Sequence, residues 1–121
     1  MSLLAELVLI AEELKLPYEL GSFSDDTLDQ YLVFTPITHE LTLFSDNDPQ
    51  MEIEAIRCSL FVRGNYKALL HHFTEALLQK DITVSDRHYI AFEKDTGYHH
   101  LAIDCEKAFE WRYIHGNHRS R

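Results

Sequence analysis

Apolar residues recur along this chain at two alternating periods, and the switches between them mark out its elements. Leu3, Leu4, Leu7, Val8, Ile10, Ala11 and Leu14 fall at helical spacing with Glu6, Glu12 and Glu13 between them. Ser2 is placed to cap a first helix there and Pro17 to end it. After the polar connection Gly21–Gln30, Tyr31–Ile37 and Glu40–Phe44 read as extended segments. They pair as a hairpin or form one bent strand, and Pro36 suggests an edge or a strand end. From Glu52 the alternation becomes strict, with Ile56, Cys58, Leu60 and Val62 on one side and Ala55, Arg57, Ser59, Phe61 and Arg63 on the other. That stretch is the expected central strand.

Asn65 then supplies an N-cap for a second helix from Tyr66 to about Lys80, whose buried stripe is Tyr66, Leu69, Leu70, Phe73, Ala76 and Leu77. Arg87–Cys105 reads as a hairpin turning at Asp95-Thr96-Gly97. An even loop, Asp95 to Tyr98, sets Ile90 opposite Ile103, Phe92 opposite Leu101 and His88 opposite Cys105. This register gives one clean apolar face, so it is the expected one. Its other face carries Glu93 beside His100 and Tyr89 beside Asp104. Ala108, Phe109, Trp111 and Tyr113 form a last strand or a short helix. The pattern predicts an α+β fold, a mostly antiparallel four- to five-stranded sheet packed against an N-terminal helix and a central helix. Residues 1–114 form one domain, and the polar tail 115–121 is expected to be disordered.

Bulk composition fits that picture. A chain of 121 residues buries roughly two-thirds of its unfolded surface without disulfides or a structural metal. Cys58 and Cys105 each sit in an apolar strand pattern, as buried thiols in a reducing compartment do. No apolar run approaches the length of a membrane span, and no targeting segment is expected. The formal charge of −9 is lopsided: residues 1–54 carry −11 and residues 55–121 carry +2. An acidic half disfavours direct nucleic-acid binding, which needs clustered Lys and Arg. It suits copies arranged head to tail, or simply a solvated acidic face.

Candidate chemistry is sparse. Asp25, Asp26 and Asp29 are acidic loop residues, and Asp46-Asn47-Asp48 lacks the glycine and distal glutamate of a calcium loop. His71 and Glu75 share a helix face at a spacing that helical metal pairs use, and that solvent-facing pairs use far more often. His88 opposite Cys105 is the one thiol–imidazole pairing of the expected register, yet Cys105 lies on its core face. Glu52 and Glu54 share one strand face without the contrasting environments that acid–base work requires. Gly-rich phosphate loops, nucleophile elbows and H-E-x-x-H are missing from the sequence. The expectation is a protein that is not an enzyme and uses no metal or cofactor. A small metal-dependent or thiol enzyme, or a host protein-interaction module, is the alternative.

Several phrases occur in an informative order: Tyr31-Leu32-Val33-Phe34, Phe44-Ser45-Asp46-Asn47-Asp48-Pro49, Arg57-Cys58-Ser59-Leu60-Phe61 with Gly64-Asn65-Tyr66, Asp86-Arg87-His88-Tyr89-Ile90, and Asp95-Thr96-Gly97-Tyr98-His99-His100. Across residues 18–107 the chain resembles small tail-completion or tail-terminator-like proteins, which join head to tail in tailed phages and Gram-positive prophages. The resemblance implies a non-enzymatic structural protein that forms rings, commonly hexamers, at the tail end or neck. Its implied partners are copies of itself and phage tail-tube or neck proteins. Its implied location is the bacterial host cytoplasm during assembly and then the virion. The resemblance carries no interface residues, so the candidate assembly surface rests on physical grounds. It comprises Leu4 and Val8 of the first helix, Asp46 and Asp48, Asp95 and Tyr98 of the hairpin loop, and the aromatics Phe109, Trp111 and Tyr113.

Overall fold

A computed structural model describes residues 2–21, 27–43 and 49–110, with side chains described except at 39–43, 49–50 and 110. The elements run α1 (Leu3–Glu13), β1 (Tyr18–Leu20), β2 (Gln30–Leu43), β3 (Pro49–Val62), α2 (Tyr66–Gln79), β4 (Thr83–Glu93) and β5 (Tyr98–Glu110). The strands make one sheet in the order β1-β2-β3-β5-β4, antiparallel throughout except for the β1–β2 pair. The expected α+β fold with its N-terminal and central helices is thus observed.

Both helices start where a side chain accepts an otherwise orphaned N–H. Ser2 Oγ takes the Ala5 N–H at 3.1 Å, and Asn65 Oδ1 takes the Ala68 N–H at 3.2 Å. Leu3, Leu7, Ile10 and Ala11 of α1 and Phe73 and Leu77 of α2 are fully buried on one face of the sheet. They meet Leu32 and Phe34 of β2, Ile56, Cys58, Leu60 and Val62 of β3, and Leu101, Ile103 and Cys105 of β5 in one core. At roughly 1.5–3 kcal/mol per large apolar side chain removed from water, this single layer holds the helices to the sheet. Two polar clips add direction: Glu54 accepts the Leu3 N–H at 2.9 Å, and Lys107 Nζ lies 2.8 Å from Glu6 Oε1.

The strand with strict alternation, β3, is the middle strand, as expected. Its Phe61 points to the other face, where Tyr31, Val33 and Tyr98 form a smaller cluster. The two extended segments around Pro36 are one long strand, β2, with a register shift at Ile37. Pro36 lies just past the end of β1, on a stretch of β2 whose outer side β1 does not reach. Beyond Cys105 the chain takes neither a separate strand nor a helix as far as Glu110, because β5 simply continues alongside β3. The tail 115–121 lies outside the described residues.

The hairpin register differs from the expected one. Its loop is Lys94–Gly97, with Gly97 at φ +82° as the turn demands, so Glu93 faces Tyr98, Phe92 faces His99 and Tyr89 faces Leu101. Shifts at Ser85 and Ile90 then set His88 opposite Ala102 and Val84 opposite Cys105. The assumption that failed was that β4 has a core face. It is an outer strand whose alternation is broken at Ile90; only its Val84 packs against the main core, so Ile90 and Phe92 need not be inside. They are 42% and 49% exposed.

Candidate assembly surface

The sheet ends in two outer strands of very different length. The three residues of β1 leave Glu19 and Leu20 exposed. The outer strand β4 has no fully buried side chain, and it shows Tyr89, Ile90 and Phe92 to solvent. On the helix side, Tyr89 joins an aromatic group. Its hydroxyl lies 2.9 Å from His99 Nδ1, the Tyr66 ring at the start of α2 is tilted at 4.7 Å from the His99 ring, and Phe92 lies 5.0 Å from it. On the opposite side His88 Nδ1 lies 2.9 Å from Asp86 Oδ2.

The face away from the helices carries a row of rings. Tyr31 stacks on Phe61 at 4.7 Å, Phe61 on His100 at 4.2 Å, and Tyr98 stands edge-on to both Tyr31 and Phe61. The Arg63 guanidinium sits 4.2 Å over the Tyr98 ring and donates to the carbonyls of Thr96 and Leu28 at 2.7 and 3.3 Å. Burial pushes the Tyr31 phenol up and holds the His100 imidazole below its ordinary range. Next to the rings, Arg57 grips Asp104 with two hydrogen bonds of 2.7 and 3.0 Å. Those bonds hold the Asp104 carboxyl below the usual carboxylate range.

The expected surface residues are scattered rather than gathered. Leu4 and Val8 are half-buried and pack against the main core, leaving Leu9 as the exposed apolar residue of α1. Asp95 is exposed in the hairpin loop. Tyr98 is a correction: it is the first residue of β5, 1% exposed, with its hydroxyl donating to the Leu28 carbonyl. Shifting the loop one residue back turned it inward, onto Tyr31 and Phe61. Phe109 is half-buried against the core, with Lys107 Nζ 5.9 Å from its ring. Asp46, Asp48, Trp111 and Tyr113 lie outside the described residues. Ile90 and Phe92 were missed as surface because the expected register placed them inside; Tyr89, expected on the exposed outer face, is exposed but on the helix side. The shortness of β1 hid it altogether.

Of the two candidate pairs with catalytic or metal-binding chemistry, one is separated by the sheet and the other lies open to solvent. His88 lies on the face opposite to Cys105, whose thiol is fully buried and donates to the Ile56 carbonyl at 3.6 Å. Burial, and then the neighbouring Cys105, push the Cys58 thiol well up, the reverse of an activated nucleophile. His71 and Glu75 do meet, at 3.5 Å, as a solvent-facing pair. Among the described residues no three His, Cys, Asp or Glu side chains are grouped to hold a metal ion, and no helix is long and apolar enough to cross a membrane. Neither the scan of protein-family models nor the search of curated proteins finds a match to this chain.

Proposed function

We propose that the chain is a non-enzymatic structural subunit of a tailed phage or prophage, assembling as a ring at the tail end or neck to complete the tail or join it to the head. The ordered phrases of the sequence support this reading, as does an α+β sheet flanked by two helices. The observation that carries it is the outer strand β4. Three large apolar side chains, Tyr89, Ile90 and Phe92, are exposed together on this one outer strand, a cluster of the kind that marks contact surfaces. The partners are copies of the chain and a tail-tube or neck protein. The subunit is made in the bacterial host cytoplasm and ends in the virion.

Sedimentation velocity of the purified chain over a wide concentration range, alone and with the cognate tail-tube protein, tests the proposal. The expected result is a discrete closed oligomer, appearing alone or on addition of the tube protein. A monomer under both conditions overturns it.

A further inference from the structure

The two outer strands match each other. Because β1 is parallel to β2, and β2, β3, β5 and β4 alternate in direction, β1 and β4 run in opposite senses at the two ends of the sheet. A copy placed edge to edge in the same orientation therefore brings its β1 antiparallel to β4. The shifts at Ser85 and Ile90 confine regular pairing along β4 to Asp86–Tyr89. That window is about the length β1 offers, three residues.

The side chains select a register. Through their partners in β2 and β5, Tyr18, Leu20, Arg87 and Tyr89 lie on the helix face of the sheet, and Glu19 and His88 on the other. Setting Tyr18 opposite Tyr89, Glu19 opposite His88 and Leu20 opposite Arg87 keeps every pair on one face. It joins two aromatics and places a carboxylate beside an imidazole. Moving two residues one way sets Glu19 against Asp86, and two the other way sets it against Ile90 at the bulge. The wider charge agrees, since β1 belongs to the −11 half and β4 to the +2 half. Pairing of β4 with its own copy about a two-fold at His88 would also keep faces matched, with Arg87 opposite Tyr89, but it would oppose two imidazoles where the β1 pairing opposes a carboxylate to an imidazole.

We infer that β4 of one copy pairs antiparallel with β1 of the next, through Tyr89–Tyr18, His88–Glu19 and Arg87–Leu20, as a head-to-tail contact that repeats around a ring. This contact rests on the assembly reading above and gives it an interface. Its unlike edges make it heterologous, so it either closes by rotation or grows open chains.

Cysteine pairing tests the register directly. Residues opposed across antiparallel strands sit about 4.5–5.5 Å apart at Cα, within disulfide reach. Cys58 and Cys105 are fully buried and serve as silent background. Glu19→Cys and His88→Cys chains, each checked for native far-UV dichroism, are mixed, oxidised and run on a non-reducing denaturing gel. The mixture is expected to give at least about tenfold more covalent dimer than either variant alone or than Glu19→Cys mixed with the exposed control His71→Cys. The double variant is expected to give a ladder ending at the ring's subunit number. A 19–88 adduct no stronger than the control, from wild-type chain that sediments as an oligomer, overturns the edge contact and leaves the ring reading standing. No adduct, together with a monomer at all concentrations with and without the tube protein, overturns both. Adducts of either single variant with itself, as strong as the mixed one, overturn the head-to-tail geometry in favour of a two-fold contact.

Discussion

His100 is the residue where burial and chemistry disagree most. Its ring lies flat on Phe61, and its Nε2 is buried without a hydrogen-bond partner among the described residues. The neutral imidazole is favoured in the folded chain, with a pKa below the ordinary 6.5, chiefly because burial penalises the cation. Between 6.5 and that lower value the unfolded chain binds a proton that the folded chain does not. His100 therefore contributes stability that is full above pH 6.5 and is lost as pH falls towards the folded value. His100→Phe keeps the stack and removes the titration. Urea midpoints at pH 7.5 and 5.5 should fall together less in the variant than in wild type. Relief of the unpaired nitrogen should raise stability at either pH by about 1 kcal/mol. Equal acid sensitivity in both proteins would exclude this role. Asp104 follows the same sign in a lower window, since its grip on Arg57 is lost only as pH falls below the ordinary 3.8.

At the scale of elements, α2 shows how unequally one helix is used. Phe73 is fully buried beneath it, while Leu78 on its outer side is 56% exposed. Phe73→Ala should cost about 3–5 kcal/mol by chemical denaturation, and Leu78→Ala should stay within about 0.5 kcal/mol. Comparable losses from the two would mean that α2 is seated on a different face. The stripe of α2, its Asn65 cap and the alternation of β3 were legible because each is a long repeat with one side in the core. The β4 register was not. Alternation assigns a face only when one face is buried, and β4, outermost and interrupted at Ser85 and Ile90, has neither a buried face nor a constant phase. Strand β1 was illegible for another reason: three residues carry no period, and its parallel partner is more than ten positions away. Of the candidate surface, loop chemistry correctly exposed Asp95, and the same one-residue uncertainty misplaced Tyr98.

The molecule as a whole is two hairpins, β2–β3 and β4–β5, joined by α2 and zipped along the β3–β5 seam from Met51–Glu110 to Val62–His99. Contacts across this seam are remote in sequence, so its closure belongs to the slow, non-local part of folding. Each hairpin contributes one cysteine to the seam. Cys58 and Cys105 lie one step apart across it, with Cys58 opposite Ile103 and Cys105 opposite Ile56. Both are sealed on the helix side by the same apolar layer. The chain thus carries a built-in reporter of its own parting. Alkylation of the two thiols, followed by mass spectrometry in mild denaturant, should show them labelled in the same molecules and at one rate. A population labelled at Cys105 alone would show instead that the second hairpin can peel away while the first stays folded.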